Sequence, residues 1–394
     1  MIQSRLFFFT IFSKHIVSVD FVSRSSGFSL SKMDLETNSM QRVCYLRPEE
    51  NFPLDLIFEL NLCTHLILGF FSINEDSTLR IEAFQDEFLR KLSNLIFLQR
   101  SNIKLMISIG GGGAGGWKMA ISSDSERTKF VKSIRSIIEL YGLDGVDIDW
   151  EFPAWPPLKS PISERYDFVE LLQSIRKELN ALEEINSRHF LLSAAVAGQF
   201  SIINRSYLPE KINESIDFLN LMTYDYYVHK WYWPFVGHNS ALFARSKDFS
   251  LTKSFNLQWS ANYWANLGIP KRKIMVGIPT YGKKFILLSK RSNEPFSLAI
   301  RSTQDCSYSD VCRFLQHPHT ITRYDQEAKV PYAYNDREWI SYENAESARA
   351  KATWIRENRF GGAMLFSLNT DNRYLDCSER VFAIHLAVRD VFLS

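Results

Sequence analysis

Apolar residues recur along the chain in eight short runs: Arg42–Leu46, Thr64–Ser72, Ile103–Ile109, Gly145–Glu151, Phe190–Val196, Ile216–Tyr224, Lys273–Tyr281 and Gly362–Leu368. Most are nearly continuous in hydrophobicity, as strands buried on both faces require. Between them lie stretches whose apolar positions return at helical spacing, among them Ser125–Leu140, Ser163–Leu182, Leu251–Leu267 and Tyr342–Asn358. The alternation predicts an α/β fold, a (β/α)8 TIM barrel. A doubly wound open sheet would share it, but no Gly-x-Gly-x-x-Gly turn stands between a strand and a helix to support a nucleotide site. One interval departs from the rhythm. From Lys283 to about Glu338 the next helix is delayed, and short β-like pieces appear at Ile321–Tyr324 and Val330–Tyr334. This predicts a small α+β insertion at about 283–340, between strands seven and eight. A loop after a barrel strand opens onto the C-terminal face, so the insertion would wall one side of a cleft there.

The fourth run changes what the pattern means. In Gly145-Val-Asp-Ile-Asp-Trp-Glu151, Asp147, Asp149 and Glu151 alternate with Val146, Ile148 and Trp150. Side chains alternate across a strand, so the three carboxyls share one face. Like charges crowded together favour retention of a proton by at least one of them, which points to a general acid of raised pKa. A solvated acidic edge strand does not fit the wholly apolar opposite face. A calcium or magnesium site fits less well than acid catalysis, because the intervening residues are strand formers rather than glycine turns. The glycine run Gly110–Gly116 follows strand three without the Lys-Ser/Thr of a phosphate loop, and is read as a tight turn that lets a ligand approach the backbone.

Composition narrows the partners. A net charge of +2 argues against nucleic acid or a membrane surface. Aromatic residues make up 14% of the chain, and those of its 9 Trp and 16 Tyr that fall in loops would suit stacking on sugar rings. The five cysteines, Cys44, Cys63, Cys306, Cys312 and Cys377, fit no zinc spacing, and their odd number leaves one over. At the N-terminus Arg5 precedes a short apolar run, Leu6–Phe12, with no clean cleavage site. Residues 1–40 are read as a leader or linker with a weak signal peptide. Asn204-Arg-Ser206 and Asn213-Glu-Ser215 are glycosylation sequons if the chain is secreted.

Asp144-Gly-Val-Asp147-Ile-Asp149-Trp-Glu151 resembles the signature of glycoside hydrolase family 18, which contains chitinases and chitinase-like lectins. The resemblance extends to Lys104–Gly111, Leu221-Met-Thr-Tyr-Asp-Tyr226, Gly237-His-Asn-Ser240, Gly277–Gly282 and Lys329–Tyr334, covering about residues 41–394 as one catalytic domain. It implies a retaining hydrolase of β-1,4-linked N-acetylglucosamine, in chitin or chitooligosaccharides, that works by substrate-assisted catalysis. On that pattern Glu151 is the general acid and Asp149 holds the acetamido N–H. Asp147 shares a proton with Asp149, and Tyr224 bonds the acetyl oxygen. Asp225, Met222, Tyr226, Phe366, Tyr45, Tyr281 and Trp117 would contact substrate. No metal and no cofactor is implied. The resemblance also pairs Cys44 with Cys63 and Cys312 with Cys377, leaving Cys306; these pairings suit an oxidising compartment and so an extracellular, secreted protein, which is expected to be a monomer. No cysteine-rich module follows the barrel before Ser394, so processive attack on crystalline chitin is not expected.

The sequence departs from the family at four cleft positions. Phe366 and Glu49 stand where the family has tryptophan, and Gly112 where tryptophan is common, with Trp117 as a neighbouring substitute. Lys283 replaces an arginine and cannot reproduce its bidentate fork. These changes define the alternative, a carbohydrate-binding chitinase-like protein with weak or no hydrolysis. A third reading is a non-sugar role on a retired scaffold.

Overall fold

The computed structural model describes residues 40–375 and 377–394; apart from Met40, the leader read at 1–40 lies outside them. The strands in chain order are β1 (Gln41–Leu46), β2 (His65–Ile73), β3 (Leu79–Arg80), β4 (Lys104–Gly110), β5 (Gly145–Asp149), β6 (Leu191–Ala197) and β7 (Phe218–Met222). They continue with β8 (Ile274–Pro279), β9 (Lys283–Leu287), β10 (Ala299–Ser302), β11 (Ile321–Asp325), β12 (Val330–Asn335), β13 (Glu338–Ser341) and β14 (Gly362–Phe366). Eight of them pair in parallel in the order β1-β14-β8-β7-β6-β5-β4-β2, and β1 also pairs with β2, so the sheet closes. These eight coincide with the eight apolar runs. β3 is a short antiparallel appendage on β2.

Helices cover the outside, including Ala83–Leu98, Asp124–Tyr141, Glu164–Asn186, Leu257–Asn266 and Ala345–Glu357. The period read from Leu251 begins later as an α-helix: Ser250–Ser254 is a 3-10 turn, and Asn256 caps the true start by accepting from the Trp259 N–H at 2.8 Å. The core has two layers. Val146 and Ile148 of β5 point outward and pack with helix residues such as Phe130, Leu171 and Ile175. Inside the barrel, Val43, Ile67, Met106, Phe218, Met275 and Met364 form a separate apolar plug.

The delayed interval builds a five-stranded antiparallel sheet, β10-β9-β13-β12-β11, with the helix Tyr308–Leu315 packed on it. Gly282 and Cys306 exchange backbone hydrogen bonds at 2.8 and 2.9 Å, which fastens this sheet where β8 ends. Disulfides join Cys44 to Cys63 and Cys312 to Cys377, and Cys306 is free.

Candidate active site

The pairing register of β5 sets the geometry. Asp147 lies opposite Ser108 of β4 and Ser193 of β6. Side chains in register on parallel strands project to the same side, so both serine hydroxyls reach the carboxylate, each at 2.7 Å. Tyr45 Oη donates at 2.8 Å and Asn220 Nδ2 at 3.1 Å. Each Asp147 oxygen thus accepts two donors, and the group is fully buried. Burial raises its pKa while the four donors oppose the rise.

Asp149 stands two residues further along the same face, roughly 7 Å on by strand rise. It lies opposite Gly110, whose φ is +114°. A Cβ on Gly110 would fall 2.1 Å from the Asp149 carbonyl oxygen, so only glycine permits this approach. Asp149 is 3% exposed, and its Oδ1 has no hydrogen-bond partner among the described residues. Burial, then the charges of Glu151 and Asp147, push its carboxyl well above the usual range. No hydrogen bond joins it to Asp147: the strand rise separates them, and other donors fill the Asp147 oxygens.

Strand pairing ends at Asp149, and Glu151 lies in the bend just beyond, open to solvent at the mouth of a cavity of about 500 Å³. Partial burial, then the Asp225 charge, push it from 4.5 up to about 7. Gly112 lines the mouth beside it; a Cβ there would lie 3.5 Å from Glu151 Oε1, in ordinary contact.

Aromatic rings form the floor and wall. Phe366 lies 5.7 Å from Tyr45, 6.2 Å from Phe70, 6.0 Å from Tyr224 and 6.3 Å from Tyr281, between ring centroids. All five rings line the cavity, with Met222. Burial raises Tyr45, Tyr224 and Tyr281 well above the ordinary tyrosine value, so their hydroxyls remain donors. Among the described residues, the Tyr224 hydroxyl has the Met364 sulfur as its hydrogen-bond partner, at 3.8 Å. Tyr281 donates to Asp225 Oδ1 at 2.6 Å, and Lys283 Nζ lies 3.1 Å from the same oxygen.

Two expected contacts do not reach the cavity. Trp117 is 4% exposed and stacks on Trp150 at 5.3 Å, in the outer core. Gly116, at φ +91°, starts its helix and turns the indole inward. Tyr226 is buried against Phe255, with its hydroxyl 2.7 Å from Ser260 Oγ. The preceding Asp225 has φ +58° and reverses the chain, sending consecutive side chains to different sides. Glu49 is also committed elsewhere: Arg373 Nη1 lies 2.5 Å from its Oε1, and Asn369 donates to its Oε2 at 2.9 Å.

Sequence reading missed Ser108, Ser193 and Asn220. The signal was present, since Ser193 and Asn220 are the lone polar residues at inward positions of β6 and β7, and Ser108 is the polar one in the middle of β4. It also missed Asp305, which reaches the cavity from the insertion.

The profile of glycosyl hydrolases family 18 matches residues 41–371. Chitotriosidase-1 of Mus musculus is 32% identical over 333 residues, spanning 82% of this chain and 69% of that protein. Oviduct-specific glycoprotein of Ovis aries is 32% identical over 324 residues, spanning 79% of this chain but 58% of that protein. Human YKL-39, described as a pseudo-chitinase with retained chitooligosaccharide binding properties, superposes with a TM-score of 0.83 at 26% identity, covering 90% of this chain and 100% of that one. The Ostrinia furnacalis Group IV chitinase in complex with allosamidin superposes at 0.80 with 26% identity, covering 90% and 99% of the two chains.

Proposed function

This chain belongs to glycosyl hydrolase family 18, and from that premise we propose that it hydrolyses β-1,4-linked N-acetylglucosamine, in chitin or chitooligosaccharides, with retention of configuration. One observation carries the reading: Glu151 is pushed up to about 7 at the mouth of an aromatic-floored cavity, so near neutral pH it holds a proton to give. Glu151 passes that proton to the glycosidic oxygen as the bond to the anomeric carbon breaks. The carbonyl oxygen of the substrate's own acetamido group closes on that carbon to give an oxazolinium, so no protein nucleophile is used. Asp149, with its unpaired Oδ1, accepts the acetamido N–H and so holds the acetamido group in place. The Tyr224 hydroxyl exchanges its weak sulfur contact for the acetyl oxygen. Water then attacks the anomeric carbon and gives its proton to Glu151, which restores the acid. Asp147, held by four donors, fixes the strand beneath. The scheme needs no metal or cofactor, and the two disulfides suit a secreted protein.

Release of fluorophore from a labelled chitobioside or chitotrioside tests this. We expect turnover by the wild type and a loss of about 100-fold or more in Glu151→Gln. Absence of wild-type turnover, or equal rates in the two, rejects hydrolysis.

A second reading is oligosaccharide binding without cleavage. It is favoured by Phe366 in the floor and by Glu49 locked to Arg373 where the family places an aromatic ring. The likeness to YKL-39 points the same way. Calorimetric binding of chitotriose by a wild type that fails to cleave it would establish this reading.

A further inference from the structure

Lys283 is the first residue of β9, where the chain leaves the barrel for the insertion. Its Nζ lies 3.1 Å from Asp225 Oδ1 and 2.6 Å from Asp305 Oδ1, and 5.3 Å from the centre of the Tyr281 ring. Its side chain is 12% exposed, whereas that of Asp305 is 51% exposed and borders the cavity. The Gly282–Cys306 backbone pairing brings Asp305 to this place. One buried ammonium therefore serves two carboxylates. Burial works against its charge, and Asp225 and Asp305 outweigh that effect to hold it above its ordinary value.

We propose that Asp305 is a positioning residue: it divides Lys283 between two carboxylates, and so leaves Asp225 with charge directed at the cleft acid. This rests on the reading of Glu151 as that acid. The titratable groups that share the cavity with Glu151 include Asp149 from its own segment, Asp225 and Tyr224 from the loop after β7, and Tyr45 and Tyr281 from the floor; Tyr207, buried in the outer core, acts only from a distance. Asp147 acts through Asp149, and Arg47 lines the same cavity from the segment just after β1. Of these, Asp225 shares its counter-ion with a residue of the insertion. After burial, its charge is the cause that pushes Glu151 up. A Lys283 given wholly to Asp225 would neutralise it and make Glu151 a stronger acid. Removal of Lys283 would do the reverse.

The test compares Asp305→Asn, Lys283→Met and Lys283→Arg by two readouts. One is the alkaline limb of kcat/KM on labelled chitotrioside. The other is the 13C NMR titration of the Glu151 carboxyl, assigned with Glu151→Gln. We expect D305N to move both midpoints to lower pH by roughly half a unit, K283M to move them higher, and K283R to restore them. A purely structural role would not produce shifts of opposite sign. Unmoved midpoints in D305N, or shifts of one sign in D305N and K283M, overturn the proposal. Should K283M fail to fold, D305N against K283R decides it. A wild type without turnover whose Glu151 carboxyl shifts as expected loses the hydrolytic reading and keeps this one. Turnover with no such shifts does the opposite.

Discussion

At the scale of the residue, the three inward carboxyls of the acidic segment are not equivalent, and the difference lies in their partners. Asp147 has four donors, Asp149 has an unpaired oxygen, and Glu151 meets solvent. The same environment that raises Glu151 acts on stability. Its folded value of about 7 lies above the ordinary 4.5, so below about 4.5 the group is protonated both folded and unfolded and stability is at its full value; above that the unfolded chain releases the proton first and stability begins to fall. As pH rises through about 7 the folded protein must ionise it against partial burial and the Asp225 charge, and that stability is lost. Glu151→Gln, neutral throughout, should therefore melt higher than wild type at pH 8 and at the same temperature at pH 4. Calorimetric scans at the two pH values check this, and an equal difference at both would reject the linkage. The alternation of Asp147, Asp149 and Glu151 with Val146, Ile148 and Trp150 made the shared face legible in the sequence. The unequal partners were not legible, because the Asp147 donors come from four other strands, β1, β4, β6 and β7.

At the scale of the element, buried parallel strands announce themselves as apolar runs, which is why all eight were read. Side-chain direction past a strand end is another matter. The family resemblance assigns both Trp117, as a neighbour of Gly112, and Tyr226, as the last residue of the Leu221–Tyr226 motif, to the cleft. Both turn away because Gly116 and Asp225 adopt positive φ, which hydrophobic periodicity does not encode. The glycine run shows how such positions differ in cost. A side chain on Gly110 meets the Asp149 backbone at 2.1 Å and strained torsions together, whereas on Gly113, at φ +80°, nothing lies within 4 Å. Gly113→Ala should therefore lose only about 1 kcal/mol, from strain alone. Gly110→Ala should lose several-fold more and displace Asp149, taking activity with it. Denaturant titration of the two variants measures the contrast; equal losses would show that the β4–β5 approach yields without strain.

At the scale of the whole molecule, the ties between the second sheet and the barrel include the Gly282–Cys306 backbone pairing, the Lys283–Asp225 ion pair, the hydrogen bond from Asn239 N to Ser341 Oγ at 2.8 Å, and the Cys312–Cys377 disulfide. The disulfide links the insertion helix Tyr308–Leu315 to the chain beyond β14, closing 65 residues, whereas Cys44–Cys63 closes only 19 between β1 and β2. On the chain-entropy account the longer loop constrains the unfolded chain more, by about 4 against about 3 kcal/mol. Cys306 is a poor agent of exchange with either bridge, because burial and then the Asp310 charge push its thiol up to about 11 and keep it protonated at neutral pH. The double variant Cys312→Ser/Cys377→Ser should therefore lose more stability than Cys44→Ser/Cys63→Ser. Trp339 lies in the second sheet and Trp264 against the barrel, so tryptophan fluorescence and far-UV circular dichroism together follow both. Coincident urea transitions in wild type would show one cooperative unit. If the insertion melts first only in the Cys312/Cys377 variant, that disulfide is the tie that keeps Lys283 and Asp305 against the cleft; if the two double variants lose stability equally, loop length does not govern it.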